Sequence, residues 1–347
     1  MRIPGLIDPH VHMREPGATH KEDWSSGTAA ALAGGFTQVL AMPNTDPPVV
    51  DKASLAHVGA LAAANALCDF GLYIGAGPDN VTTAAELAGQ SAGIKLYLDQ
   101  TYGPLRLEDM SLWQLHMQAW PKDRPLVVHA EGRTLAAAIL VAALADRPLH
   151  VAHVATREEI TLVRAAKKRG FRVSCEVTPH HLFLTKDDLH GGWGEVRPRL
   201  GTRADVDALW ENLAVIDCFA TDHAPHTALE KAGPNPPPGF PGLESALPLL
   251  LTAVHEGRLT LEDMLTRMGE NVRRIFGVPT QPETWVELDL DHKHTLSGQG
   301  MHSKAGWTPF EGWVVRGLVR KVVLRGQTVF KDGNILAAPG SGYRIKP

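Results

Sequence analysis

Two histidines one residue apart, His10-Val11-His12, close an apolar run that begins at Leu6. In an extended strand residues i and i+2 share a face, so both imidazoles point the same way. Comparable residues recur at the ends of later apolar runs. His129 closes residues 125–130, His153 closes residues 149–154, and Asp222 lies in Ala220-Thr221-Asp222-His223-Ala224-Pro225-His226. Singly, each has an ordinary explanation, a hydrogen-bonded core histidine or a carboxylate capping a turn. Together they place four imidazoles and a carboxylate at the ends of separate strands. Imidazole and carboxylate without thiolate suit zinc, with iron, manganese and cobalt as alternatives.

Lys95 adds a different chemistry. It sits in Gly93-Ile94-Lys95-Leu96-Tyr97-Leu98. If Ile94, Leu96 and Leu98 face outward, Lys95 points inward, where a lysine is almost never buried without a partner. The ordinary explanations are a salt bridge or a stem that snorkels to water. Beside a cationic cluster an ammonium is repelled, whereas a neutral amine can add CO₂ and become an anionic carbamate able to bridge two metals. Two divalent ions, a carbamate, an aspartate and a hydroxide leave about +1, which favours an anionic substrate. Arg14, Asn44, Arg197 and His226 form a further polar set. A guanidinium with amide and imidazole donors can clamp a carboxylate; the bland alternatives are surface charge and turn capping.

These residues need a scaffold that brings strand ends together. Strand-like runs are expected at residues 6–12, 38–44, 69–75, 93–98, 125–130, 149–154, 172–177 and 218–223. Helical patterns fall between most of them, at 25–33, 54–66, 108–120, 134–145 and 157–169. Gly34-Gly35 and Gly170 stand where C-cap glycines belong. Eight alternating units predict an α/β fold, a (β/α)8 TIM barrel, whose active sites lie at the C-terminal ends of the strands. No G-x-G-x-x-G follows the first strand, which argues against an open dinucleotide-binding sheet. The connections 178–217 and 224–242 are long, and the Pro-rich stretch around Pro236-Pro237-Pro238 predicts an ordered rim. Strand-like runs at 285–290, 317–324 and 327–330, with an Asp332-Gly333 turn, predict a small C-terminal β appendage. The expected division is a barrel over residues 1–282 and an extension over 283–347.

Composition narrows the class. The chain has 347 residues, 44% apolar and 21% charged, with a net charge of −4. That is an ordinary globular balance and gives no electrostatic case for nucleic acid. No apolar run is long enough for a membrane span, and the polar start, Met1-Arg2-Ile3-Pro4-Gly5, does not read as a signal peptide. Three scattered cysteines argue against a disulfide framework and fit a reducing, cytoplasmic setting.

With these residues in hand, the chain resembles the dihydroorotases of the amidohydrolase superfamily, in particular the branch found as a domain of the animal CAD pyrimidine-synthesis polypeptides. The motifs are Pro4-Gly5-Leu6-Ile7-Asp8-Pro9-His10-Val11-His12-Met13-Arg14-Glu15-Pro16-Gly17, Ala41-Met42-Pro43-Asn44-Thr45 and Gly93-Ile94-Lys95-Leu96-Tyr97. They continue in Cys175-Glu176-Val177-Thr178-Pro179-His180-His181, Asp222-His223-Ala224-Pro225-His226 and Trp307-Thr308-Pro309-Phe310-Glu311-Gly312.

The resemblance implies two zinc ions bridged by carboxylated Lys95 and a hydroxide. His10, His12, Lys95 and Asp222 would hold one ion; Lys95, His129 and His153 the other. It implies that Arg14, Asn44 and His226 take the substrate carboxylate, that Arg197 and the backbone near Pro238 line the ring pocket, and that Thr101 and Tyr102 belong to a mobile loop. Phenylalanine is common at the position of Tyr102. A third zinc of the CAD branch uses a cysteine where this chain has Ala152, so none is expected. The implied reaction is the reversible cyclisation of N-carbamoyl-L-aspartate to L-dihydroorotate, with Asp222 as the proton carrier.

A homodimer is implied. So is a place in a larger polypeptide with aspartate transcarbamoylase and carbamoyl phosphate synthetase, because the sequence starts on the first barrel strand; an engineered sequence is the alternative. The rival readings are another cyclic amidohydrolase, of the dihydropyrimidinase or allantoinase kind, and an inactive scaffold domain.

Overall fold

The protein, a computed structural model described over residues 1–345, is built on two sheets. The larger holds eight strands in the order β2 (Leu6–Val11), β3 (Phe36–Ala41), β4 (Asp69–Gly75), β5 (Gly93–Tyr97), β6 (Leu126–His129), β7 (Leu149–Val151), β8 (Val173–Val177) and β9 (Cys218–Phe219). Every neighbouring pair is parallel. The ring closes where β2 leaves the ladder, through the parallel bridge Val11–His223 and the bond from the His12 amide to the His223 carbonyl, 2.7 Å. This is the expected (β/α)8 barrel, and its closing stitch lies beside Asp222.

The strands form where β-branched and aromatic residues cluster, and most are buried on both faces. Connecting helices start on polar caps. Asp23 with Ser26, Asp51 with Ser54, and Thr156 with Glu159 each form a capping box. The helix Trp24–Ala33 stops at Gly34-Gly35, where Gly35 has φ +83 and a Cβ on Gly34 would meet the Leu243 carbonyl oxygen at 2.2 Å.

Strands β7 and β9 are shorter than expected. The chain leaves the ladder after Val151 and Phe219, and both His153 (φ 33) and Asp222 (φ 46) take left-handed backbone conformations. The long connection after β8 carries short helices at Pro179–Phe183 and Arg203–Glu211. The rim after β9 is ordered around the buried Lys231, whose ammonium donates to the carbonyls of Glu195 (2.7 Å), Pro237 (3.1 Å) and Gly239 (3.3 Å). Helices Leu243–His255, Leu261–Leu265 and Asn271–Phe276 complete the barrel wall and lay outside the sequence assignments.

The second sheet is antiparallel, in the order β1 (Arg2–Pro4), β10 (Trp285–Thr295), β11 (Val314–Leu324), β12 (Gln327–Lys331) and β13 (Asn334–Ile335). The expected C-terminal appendage is present, and it also recruits Arg2–Pro4, which pairs with residues 285–287. Among the described residues no helix is long and apolar enough to cross a membrane.

Candidate metal centre and carboxylate pocket

The barrel mouth holds a narrow, largely filled pocket. His10, His12, Arg14, Asn44, Thr101, Tyr102, His129, His153, Arg197, Asp222 and Pro238 all border it, as does Tyr97. Lys95 is fully buried with its Nζ 5.2 Å from the Tyr97 ring centroid. His226 is also fully buried and contacts Arg14 and Pro238.

Proton placement leaves acceptors facing one another at the centre. Asn44 donates from Nδ2 to the Tyr102 carbonyl (3.0 Å), so its Oδ1 faces His12 Nδ1 at 2.6 Å and must accept. His12 Nε2 then carries a lone pair, and it faces Asp222 Oδ1 at 3.0 Å. In the same way His10 Nδ1 donates to Glu176 Oε1 (2.5 Å), leaving His10 Nε2 facing Asp222 Oδ1 at 3.2 Å. Acceptors turned toward one another in a buried space need a cation between them. Ligand atoms of His10, His153 and Asp222 all lie within 4.8 Å of one another.

A second convergence lies alongside. His129 Nδ1 and His153 Nε2 are 2.9 Å apart, while His129 Nε2 faces Glu131 Oε1 at 3.4 Å. Among the described residues His153 Nδ1 and Lys95 Nζ have no hydrogen-bond partner.

Electrostatics favour the protonation states that metal ligation requires. Burial drives the imidazole of His12 down to about 4 and those of His129 and His153 below their ordinary range. Burial raises the Asp222 carboxyl, but attraction to the surrounding rings of His10, His12 and His153 whenever they carry protons outweighs it, so the group is held well below the usual carboxylate range. Burial also brings Lys95 down to about 8, against the pull of Glu176 and Asp222. These residues fit a divalent metal site, and the donor set of imidazole, carboxylate and amine suits zinc.

Outside the candidate ligand positions, carboxylates brace the rings. Glu176 accepts from His10 and from His150 Nε2 (3.1 Å), so it supports the site at the level of Ala152. Asp8 accepts from the amides of His10 (3.1 Å) and Thr221 (3.2 Å) and from the Thr221 hydroxyl (2.5 Å), tying β2 to the residue before Asp222. His223 points away from the pocket, to Glu22 Oε2 at 3.3 Å. Three of the assigned residues, Arg14 (φ 58), His153 and Asp222, adopt left-handed backbone, a strained geometry typical of functional positions.

The expected carboxylate clamp is partly occupied by the protein itself. Arg14 Nε donates to the Pro225 carbonyl (3.1 Å), and Arg14 NH1 has no partner among the described residues. His226 Nε2 lies 3.0 Å from the Pro238 carbonyl, and burial, reinforced by Arg14 and Lys21, keeps this imidazole neutral. Asn44 is engaged with His12 and Tyr102, and Arg197 donates to Glu195 Oε2 (3.1 Å) and the Val196 carbonyl (2.8 Å). Gly239 lines the floor at φ +144, where a Cβ would meet the Ala224 carbonyl oxygen at 2.4 Å.

Sequence reasoning left Asp8, Lys21, Glu22 and Glu131 unassigned. Asp8 carried a usable signal, a charged residue inside a fully buried strand. Lys21 carried none, since it lies in an irregular segment without periodicity.

Comparison with known proteins agrees with this geometry. The dihydro-orotase-like family profile matches residues 1–114. The chain is 36% identical to a dihydroorotase of Pyrococcus abyssi over 99% of its own length and 86% of the relative's. It is 54% identical to the multifunctional protein CAD of Squalus acanthias over its whole length, but it spans 16% of that relative.

Among solved structures, an L-hydantoinase (dihydropyrimidinase) from Arthrobacter aurescens superposes with a TM-score of 0.94 at 24% identity, covering 100% of this chain and 89% of the other. An inactive dihydroorotase-like domain of a Chaetomium thermophilum CAD-like protein superposes at 0.86 with 30% identity, covering 99% and 98%. The hydantoinase likeness speaks to the fold alone. The identity sustained along almost the full length of a free-standing relative goes further: this chain belongs to the dihydroorotase family of cyclic amidohydrolases.

Proposed function

We propose that the chain cyclises N-carbamoyl-L-aspartate reversibly to L-dihydroorotate, using two zinc ions held by His10, His12, Lys95, His129, His153 and Asp222, with Lys95 as a bridging carbamate. The observation that carries this reading is the convergence of imidazole lone pairs and one carboxylate beside a buried amine with no partner among the described residues. Lowered to about 8, the amine has a neutral fraction at physiological pH, which addition of CO₂ requires. Ala152 offers no thiolate, so two ions are assigned, without a third.

When bound, such ions supply a nucleophile from water at neutral pH and polarise the reacting carbonyl. The chain's own residues do the rest. Arg14, through an NH1 with no partner among the described residues, takes the α-carboxylate with Asn44 and His226. Arg197 and the backbone at Pro238 flank the ring, and Thr101 and Tyr102 cover it.

In the synthetic direction Asp222 removes a proton from the carbamoyl nitrogen. The nitrogen bonds to the side-chain carboxylate carbon, and one carboxylate oxygen leaves, taking the proton from Asp222 and a second proton from solvent to depart as water. Hydrolysis runs the same path backwards. By analogy with the multifunctional relatives, the domain serves de novo pyrimidine synthesis in the cytoplasm, as a homodimer within a longer polypeptide that also carries aspartate transcarbamoylase and carbamoyl phosphate synthetase.

The likeness to the inactive Chaetomium domain makes a scaffold role one alternative, and another cyclic amidohydrolase activity the second. Metal analysis of the purified chain should return two zinc equivalents, and an absorbance assay should show turnover of dihydroorotate but not of dihydrouracil, hydantoin or allantoin. Metal-free protein without turnover would establish the scaffold role. Preference for a substrate lacking the ring carboxylate would move the chain to another cyclic amidohydrolase activity.

A further inference from the structure

Lys21 lies between β2 and the helix Trp24–Ala33 and is 5% exposed. Its Nζ has three polar neighbours: Glu230 Oε1 at 3.0 Å, His226 Nδ1 at 3.1 Å and the Tyr102 hydroxyl at 3.3 Å. An ammonium has three protons and no lone pair, so all three neighbours must accept. Arg14 NH2, also only a donor, lies 3.1 Å from Nε2, so two cations face the one lone pair of the neutral ring; the Pro238 carbonyl 3.0 Å from Nε2 needs a donor there, which puts the proton on Nε2 and the lone pair on Nδ1 toward Lys21. Glu230 balances the buried charge and is itself anchored, since it accepts from the Thr227 amide (3.0 Å) in a capping box.

Tyr102 is held from two sides. Its carbonyl accepts from Asn44, which also orients His12, and its hydroxyl accepts from Lys21. Its ring lies over Arg14, with the guanidinium carbon 4.9 Å from the centroid. A phenylalanine at this position keeps the stacking and loses the hydroxyl contact.

We propose that Lys21 is a positioning residue that latches Tyr102 over the pocket and fixes His226 as an Nε2–H donor, so that loop closure and assembly of the carboxylate clamp are one event. The inference rests on the carboxylate-binding role assigned to the pocket above.

The test is a double-mutant cycle on the metal-loaded full chain, with Tyr102→Phe, Lys21→Met and their combination. Hydrogen exchange of residues 99–107 is followed without substrate, and kcat and KM are measured with dihydroorotate. At 3.3 Å and part-buried, the Lys21–Tyr102 contact is taken at the net worth of an ordinary hydrogen bond, which predicts about fivefold faster exchange and about fivefold higher KM for Tyr102→Phe, with kcat within about twofold. Lys21→Met should do at least as much, and adding Tyr102→Phe to it should change neither quantity further.

Wild-type exchange and KM in Tyr102→Phe would overturn the latch, as would independent, multiplicative effects in the double variant. If Lys21→Met fails to fold, Tyr102→Phe decides alone. A wild-type chain without turnover would overturn the proposed reaction, and the exchange comparison would still decide the latch.

Discussion

The two sheets of this molecule treat charge in opposite ways. In the parallel barrel, β2 to β5 are buried at every position, and Asp8, His10 and Lys95 are buried with them. In the antiparallel sheet, β10 and β11 largely alternate between covered and more exposed residues, and an ion pair such as Asp289–Arg320 (2.9 Å) sits half-exposed. A charge in the second setting is solvated and worth little. A charge in the first must find a partner, shift its protonation or bind an ion. Ionisable residues in the barrel should therefore govern chemistry, and apolar residues in the terminal sheet should govern stability.

The sharpest way to break that contrast is Lys95→Ala. Zinc content and turnover should disappear together while the helical circular dichroism stays; a fully active variant would remove the carbamate from the site. Asp222→Asn comes next. Turnover should fall about 1,000-fold, the scale of a lost proton carrier, with much of the metal retained. Metal analysis beside initial rates checks this, and near-normal rates would end its proton-transfer role.

Phe330→Ala, in the terminal sheet at 3% exposure, should act only on folding. A loss of about 3 kcal/mol in denaturant unfolding is expected, with kcat/KM within about twofold of wild type. A large change in kcat/KM would show that the terminal sheet shapes the pocket.

The smallest effect concerns the seam between the sheets. Glu244 accepts from the amides of His302 (2.9 and 3.0 Å) and Ser303 (3.1 Å), and burial raises its carboxyl from 4.5 to about 7. Between those values the folded chain holds a proton that the unfolded chain has released, so this group's contribution to stability falls as pH rises through the window. Urea midpoints at pH 5 and pH 8 should converge more closely in Glu244→Gln than in wild type. An unchanged pH slope would assign the dependence elsewhere.

The contrast also explains what the sequence made legible. Barrel strands stand out because burial on both faces demands continuous apolar runs, and Asp69–Gly75 was read with its observed bounds. His153 and Asp222 were found, but their strands were drawn too long, because left-handed backbone at a non-glycine residue leaves no compositional mark. The residues chosen for chemistry do converge, since metal-type side chains at strand ends are rare enough to be conspicuous. The supports were harder to see. Lys21 and Glu230 are ordinary surface residue types, and only tertiary structure brings Lys21 against the pocket. Arg2–Pro4 was missed for the same reason, because three residues become a strand only through a partner far along the chain.

That pairing bears on how the protein is made. The Leu288 amide donates to the Met1 carbonyl at 2.7 Å, across a separation of 287 positions. At ribosomal rates of about 5–20 residues per second, β1 waits roughly 15 to 60 s before its partner is synthesised. Throughout that interval the barrel strands can pair in order while Arg2–Pro4 remains an unpaired edge. The short length of β1, with Pro4 lacking an amide proton and Arg2 charged, keeps that edge a poor template for other nascent chains.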